Sequence, residues 1–184
     1  MKRGTAHHTP VPIHALDLAS WIREGDFIVW GQGAAEPTTL VRALLSYASR
    51  VKGLRAFVGM SFADTLQFSE PPPLHLMSYC ATGRNAKLVN AGWMDIWPGA
   101  YAVLPDFLGE QIDVLLLSVS EPNPLGEMSL GLAHEYLIPL IDRASVIIAE
   151  INPAVPFTYG ARLLKLEECS AIIESHAEIP ELPS

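Results

Sequence analysis

Four runs of apolar residues predict buried β-strands. They cover residues 27–30, 54–58, 113–119 and 145–151, and the last two are continuous rather than alternating in polarity. Continuous Val, Leu and Ile runs are typical of strands that are covered on both faces. Shorter extended segments are predicted around residues 74–79, 87–90 and 100–104.

Apolar positions at helical spacing predict helices between these strands. One helix is expected over residues 14–24, a second from Pro37 onwards, and a third over about residues 130–143. Proline is favoured at the first position of a helix, which supports the second start. The order strand, helix, strand with apolar strands predicts an α/β fold with a mainly parallel sheet and helices on both faces.

The chain of 184 residues is predicted to contain one α/β domain over residues 14–177. Residues 1–13 resemble a loose N-terminal lead-in. Residues 178–184 are acidic and proline-spaced, like a linker that has been cut short.

Charge and composition exclude several classes of protein. Twelve Lys and Arg against 20 Asp and Glu give a net charge of −8, and residues 88–142 hold eight acidic residues but no Lys or Arg. A nucleic-acid partner is therefore not expected. The apolar runs are too short for a signal peptide or a membrane span, so no membrane partner is expected. Two scattered cysteines indicate a reducing cytoplasm.

Gly31, Gln32 and Gly33 form a loop between a predicted strand and the Pro37 helix. Glycines at a strand end let backbone N–H groups approach an acyl or phosphate oxygen, and the helix N-terminus favours negative charge. The loop is not a dinucleotide fingerprint, because Glu36 stands where the third glycine belongs. The alternative is that the glycines only form the turn.

A second strand-end segment, Gly59-Met60-Ser61-Phe62-Ala63, nearly matches the nucleophile elbow of serine hydrolases. Asp113 and His134 follow in the order that a triad would need. The residues after Ser61 do not open an apolar helix, so we prefer a strand-end loop that lines a cleft. The six histidines lack metal-ligand spacing, and no metal site is predicted.

The segment over residues 118–131, SVSEPNPLGEMSLG, is the most specific. Its prolines and glycine indicate a fixed loop after a buried strand, and rigid loops at strand ends position substrates. A structural crossover is the alternative. The segment AEINPAVPFTYG over residues 149–160 follows the next strand.

Together these two segments resemble the N-terminal domain of the acetyl-CoA hydrolase/transferase family, which includes 4-hydroxybutyrate and butyryl/acetate CoA-transferases. GQGAAEPTTLVRALL and GRNAKLVNAGWMDIWPGAY resemble two further segments of that domain. The resemblance covers residues of about 14–183 and implies the CoA-transferase fold. It implies CoA as substrate and acyl carrier, no tightly bound cofactor, and an acyl-CoA and a carboxylic acid as small-molecule partners.

In that family a glutamate carboxylate attacks the acyl-CoA thioester, and this glutamate belongs to a second, C-terminal domain. The resemblance therefore assigns no catalytic residue here and implies either a second subunit that carries the glutamate or a homo-oligomer. It implies that this chain provides one wall of the cleft. The residues expected to line it are Gly31, Gln32, Gly33, Pro37, Gly59, Met60, Ser61, Ser120, Glu121, Pro122, Gly126 and Asn152.

The sequence departs from the family pattern in both specific segments, for example at Glu121 and at Glu127-Met128. Two other functions therefore stay open. One is a non-catalytic module on the same fold that binds acyl-CoA or carboxylate, or that serves in assembly. The other is an independent hydrolase, either of acetyl-CoA or with Ser61 as nucleophile.

Overall fold

The computed structural model describes residues 9–159 and 162–181, which fold around one parallel β-sheet. Residues 1–8 of the predicted lead-in and 182–184 of the predicted tail lie outside the described residues. The strands are β1 (Val11–Pro12), β2 (Phe27–Trp30), β3 (Arg55–Phe57), β4 (His75–Ser78), β5 (Met94–Ile96), β6 (Val114–Val119), β7 (Glu127–Met128), β8 (Val146–Ile151), β9 (Leu164–Lys165) and β10 (Ala171–Glu174). The helices are α1 (Thr38–Ala48), α2 (Asn85–Asn90), α3 (Leu104–Gly109) and α4 (Ile138–Ile141).

Short 3-10 turns complete the described elements. They lie at Ile13–Ala15, Leu18–Ser20, Gly33–Ala35, Tyr101–Val103, Glu135–Leu137 and Leu166–Glu168.

The main sheet has the strand order β1-β10-β8-β6-β2-β3-β4-β5, and all its pairs are parallel. From β2 the chain builds outward through β3, β4 and β5, and it then returns to place β6 on the other side of β2. The order of strands therefore reverses between β2 and β6. In open α/β sheets the carboxyl ends of the strands at such a reversal form the usual ligand-binding crevice.

Helices cover both faces of the sheet, as the sequence predicts. Ile28 and Trp30 of β2 pack in one core, with side chains of α1 and α2. Phe27 and Val29 alternate with them and pack in the second core, with side chains of α3 and α4. Each face of the sheet is covered by its own layer of helices, so the strands are apolar on both faces.

The predicted helix over residues 14–24 is wrong. The chain forms two 3-10 turns there, Ile13–Ala15 and Leu18–Ser20. The Asp17 carboxylate accepts the backbone N–H of Ala19 at 3.1 Å and the hydroxyl of Ser20 at 2.9 Å. Local side-chain bonds of this kind compete with a continuing helix, and they start a new turn instead.

Three further predictions of secondary structure are wrong in type or extent. Residues 87–90 lie in α2, although they were expected to be extended. Residues 100–104, expected to be extended too, contain the 3-10 turn Tyr101–Val103 and the first residue of α3. The helix expected over residues 130–143 is reduced to a 3-10 turn and α4, a helix with a proline in its first turn. Gly131 and Glu135, both at positive φ, precede that start, and this conformation does not continue a right-handed helix.

Candidate functional site

The loops after β2 and β3 meet at the carboxyl edge of the sheet, beside the reversal of strand order. The N–H of Gly33 donates to the carbonyl oxygen of Met60 at 2.7 Å. The N–H of Met60 donates to Oε1 of Gln32 at 3.1 Å. The structure thus brings together the two loops that the sequence predicts at the site. These two N–H groups are engaged within the protein, so ligand contacts must come from other groups.

The contact between the loops depends on Gly59. A Cβ atom at this position would lie 2.3 Å from Oε1 and 2.4 Å from Cβ of Gln32. Carbon atoms in contact normally stay about 3.5–4.0 Å apart. Only glycine therefore lets Gln32 fold over the end of β3.

Gln32 is the centre of a polar network in which each of its amide atoms has a defined role. Its Oε1 accepts the hydroxyl of Tyr79 at 2.8 Å as well as the N–H of Met60. Because Oε1 is satisfied by two donors, the Nε2 group is directed away from them, and it donates to Oε2 of Glu135. The hydroxyl of Tyr101 donates to the same Glu135 oxygen at 2.7 Å.

Both tyrosine hydroxyls of the network act as donors at neutral pH. Burial raises the pKa of Tyr79 above its ordinary value, and the neighbouring Cys80 adds to this shift. Burial raises the pKa of Tyr101 too, and its hydrogen bond to Glu135 contributes further. The hydroxyls consequently stay protonated and point toward acceptors.

Aromatic rings surround this network. The ring of Phe57 packs edge-on against Tyr136 with 5.7 Å between centroids, and Tyr79 packs edge-on against Tyr101 at 5.2 Å. Tyr136 is fully buried, and its hydroxyl donates to the carbonyl oxygen of Trp30 at 2.8 Å. Tyr101 is 42% exposed and connects the network to solvent. Tyr101 is not among the residues that the sequence predicts to line the cleft.

Glu36 lies beside the loops as a buried carboxylate, 3% exposed. The hydroxyl of Ser61 donates to its Oε2 at 2.8 Å, and the hydroxyl of Thr65 donates to its Oε1. Burial raises the pKa of Glu36, although the two hydroxyl bonds and the charge of Arg42 act in the opposite direction. Glu36 therefore connects the start of α1 to the loop after β3. In the sequence it stood out only as a departure from a glycine motif.

The Ser61 triad considered from the sequence is not assembled. Ser61 is buried and donates to Glu36. Asp113 lies at the opposite edge of the sheet, where its Oδ2 accepts the N–H of Phe27 at the start of β2 at 3.0 Å. His134 is exposed and lines a separate recess with Ser129 and Thr158. Parallel strands separate the two edges, so these three groups cannot cooperate.

The loop after β6 is held by its own hydrogen bonds. Ser120 donates its N–H to the carbonyl oxygen of Ser129 at 2.9 Å and accepts the N–H of Ser129 on its hydroxyl at 2.9 Å. Gly126, at φ +74°, donates to the carbonyl oxygen of Asn123 at 2.9 Å and accepts from Leu166 at 3.1 Å. Glu121 and Pro122 are exposed. The loop is fixed, and its bond to Leu166 draws it toward the segment around β9.

Pro37 and Asn152 make hydrogen bonds that hold the elements at the carboxyl edge of the sheet in place. The carbonyl oxygen of Pro37 accepts the N–H of Val41 at 2.9 Å and so begins α1. Asn152 donates its side-chain amide to the carbonyl oxygen of Ala177 at 2.7 Å, which holds the C-terminal segment against the end of β8. Glu150, buried in β8, accepts the N–H of Leu40 at 3.0 Å.

A cleft of about 890 Å³ opens on the same edge, between the start of α1 and the C-terminal segment. Arg42 forms an exposed ion pair with Asp64 there, and Arg84 donates to the carbonyl oxygen of Phe62 at 2.8 Å. Glu178 and Glu181 line the same cleft as the two arginines. The lining is thus mixed in charge.

Within residues 9–159 and 162–181, no cluster of three His, Cys, Asp or Glu side chains is arranged to hold a metal ion. Cys80 and Cys169 are not joined in a disulfide bond. None of the helices in this part of the chain combines the length and apolar character that crossing a bilayer requires.

The fold is that of CoA-transferases. RipA from Yersinia pestis superposes with a TM-score of 0.82 and 26% identity, over 89% of this chain and 42% of RipA. A 4-hydroxybutyrate CoA-transferase from Porphyromonas gingivalis shares the fold, with a TM-score of 0.62 and 22% identity over 96% of this chain and 40% of that one.

The chain belongs to the acetyl-CoA hydrolase/transferase family, and residues 8–181 match its N-terminal domain. It is similar to the 4-hydroxybutyrate coenzyme A transferase of Clostridium kluyveri, with 27% identity over 92% of this chain and 41% of the relative. It is also similar to the succinyl-CoA:cyclohexane-1-carboxylate CoA transferase of Geobacter metallireducens, with 23% identity over 91% of this chain and 39% of the relative. The chain thus spans about 40% of the length of these relatives.

Proposed function

We propose that this chain forms the N-terminal half of a CoA-transferase, which moves CoA between an acyl-CoA thioester and a carboxylate. The observation that carries the proposal is the family match over residues 8–181. Relatives named as CoA transferases support it. Because the chain spans about 40% of their length, the catalytic glutamate is proposed to lie in a C-terminal half or on a partner chain.

In this proposal the chain supplies one wall of the cleft at the carboxyl edge. A carboxylate that attacks a thioester creates negative charge on the carbonyl oxygen, and fixed donors stabilise that charge best where water is excluded. Gln32 and Tyr101 carry donors of this kind, and both donate to Glu135, which a ligand oxygen would have to replace. Gly59 leaves the space in which Gln32 takes this position.

The distribution of exposed apolar side chains supports a partner on this edge. Large apolar residues are exposed near the carboxyl ends of three strands, β5, β6 and β8. Each lies at the end of one of these strands or in the segment that follows it. They are Ile96, Tyr101, Val103, Leu125, Leu132 and Tyr159. Exposed apolar surface of this kind is typical of interaction sites, and we propose that the catalytic half covers it.

The proposal is tested by purifying the protein gently from its own cells and measuring its native mass and its CoA-transfer activity. The assay uses acetyl-CoA with butanoate as acceptor and follows butanoyl-CoA by chromatography. We expect a mass above the 20.0 kDa of this chain, from a second polypeptide or a longer one, and activity only in that assembly. CoA transfer by the isolated chain would contradict the proposal that the catalytic glutamate lies outside this chain.

A matched pair of variants tests whether this edge belongs to the active site. Gly59→Ala disturbs Gln32, whereas a Cβ atom at Gly92 would meet nothing within 4 Å. We expect Gly59→Ala to reduce CoA transfer by the assembly and Gly92→Ala to leave it nearly unchanged.

A native mass that corresponds to an inactive lone chain or homodimer would instead favour the second candidate function, a non-catalytic binding module on the same fold.

A further inference from the structure

We propose that the Gln32 amide and the Tyr101 hydroxyl form a subsite for the carboxylate of a short-chain acid, and that Glu135 occupies this subsite when no acid is bound. The inference rests on the proposed function, in which such an acid accepts CoA. It adds a place for that acid on this chain and a residue that competes with it.

The geometry of the donors points to a carboxylate. Gln32 Nε2 and the Tyr101 hydroxyl converge on one oxygen of Glu135, the latter at 2.7 Å. Two directed donors on one carboxylate oxygen form a strong, oriented recognition pair. The orientation exists independently of Glu135 on the Gln32 side, because Tyr79 and Met60 already fix the amide through Oε1.

Glu135 has the features expected of a side chain that a ligand can displace. It is exposed, and it lies 103 residues from Gln32, so that no local turn enforces the contact. Its φ of 28° lies in the left-handed region, where a residue other than glycine is strained.

The half-exposed ring of Tyr101 is the apolar surface that the short tail of such an acid would contact. The ring of Tyr101 lies 6.5 Å from that of Tyr136, and Tyr136 packs on Phe57. In this chain without its catalytic half, Tyr101 is 42% exposed, which gives a small acid access from solvent. An incoming carboxylate cannot share the donors with Glu135, because two like charges on one donor pair repel each other.

The test is a titration of the ¹⁵N-labelled chain with sodium butanoate at pH 7, followed by NMR through the side-chain amide signals of Gln32. We expect butanoate to shift these signals and to bind about tenfold more tightly to Glu135→Gln and Glu135→Ala than to the wild type. Tyr101→Phe should weaken binding in the Glu135→Gln background. Glu110→Gln, which removes an exposed charge beyond α3, should change nothing.

Three results would overturn the inference. One is the absence of any Gln32 shift in both Glu135 variants, and another is equal affinity of these variants and the wild type. The third is an equal response to butan-1-ol, which would show recognition of the tail alone. These outcomes are independent of catalysis: butanoate binding without CoA transfer in the native assembly would retain the subsite and reject the proposed function.

Discussion

Replacement of Gly59 by alanine perturbs the contact between the two glycine loops with a single methyl group. The new Cβ would lie 2.3 Å from Oε1 and 2.4 Å from Cβ of Gln32, and 2.9 Å from the hydroxyl of Tyr136. The Oε1 contact alone could be relieved by rotation of the Gln32 side chain. The Cβ contact cannot, because Cβ is attached to the backbone of the loop after β2.

The loop after β2 must therefore move by about 1 Å, if ordinary carbon contacts are to be restored. Overpacking of this kind costs about 1–3 kcal/mol, and loss of the bond from Met60 N–H to Gln32 adds about 1 kcal/mol. We expect the free energy of unfolding to fall by about 2–4 kcal/mol. For a chain of this size that corresponds to a decrease in Tm of about 4–16 °C.

Thermal unfolding and urea denaturation measure the effect, and a double-mutant cycle assigns its cause. In a Gln32→Gly background both of the closest atoms are absent, so Gly59→Ala should cost less than half as much there. The φ of Gly92 is +71° with open space around it, so Gly92→Ala gives the cost of backbone strain without a clash. The predicted clash with Gln32 is refuted if Gly59→Ala is as stable as the wild type. It is also refuted if Gly59→Ala lowers the free energy of unfolding by the same amount in the Gln32→Gly background.

Three further predictions concern charged groups. Burial raises the pKa of Glu36 above its ordinary 4.5, so the folded protein binds this proton more tightly than the unfolded chain does. The wild type should therefore lose stability relative to Glu36→Gln as the pH rises from about 4.5 through that raised pKa, as measured by Tm between pH 4 and 8. Glu150→Ala leaves the buried N–H of Leu40 without its acceptor, and urea denaturation should show a loss of about 1–3 kcal/mol. Asp106→Ala breaks an exposed ion pair with Arg143 and should cost less than about 1 kcal/mol in the same assay.

Controls separate these effects from unspecific ones. Glu174→Ala, at the exposed end of β10, removes a glutamate without a buried contact and should cost far less than Glu150→Ala. A Tm difference between Glu36→Gln and the wild type that is constant across pH would show that burial does not control the titration of Glu36. A loss above 2 kcal/mol for Asp106→Ala would contradict the weak contribution expected of an exposed pair.

Most of the sheet follows from local patterns. The strands β2, β6 and β8 are predicted within a residue at each end, because a strand covered on both faces is apolar at most of its positions. Helices are predicted less well. The segment over residues 130–143 has helical spacing, but positive φ at Gly131 and Glu135 delays the helix until Ile138. Glu135 also contacts Gln32, 103 residues away, and helical spacing gives no sign of that contact.

The sequence by itself determined the α/β class, the two glycine loops at strand ends and the resemblance to a family, because these depend on neighbours along the chain. Only the tertiary structure decided that Ser61 serves Glu36, and that Gln32 is joined to Tyr79 and Glu135. Those partners lie 25, 47 and 103 residues apart. A buried carboxylate or a shared hydrogen-bond acceptor becomes favourable only after the sheet has brought its partners together. A pattern of neighbouring residues along the chain does not predict such distant contacts.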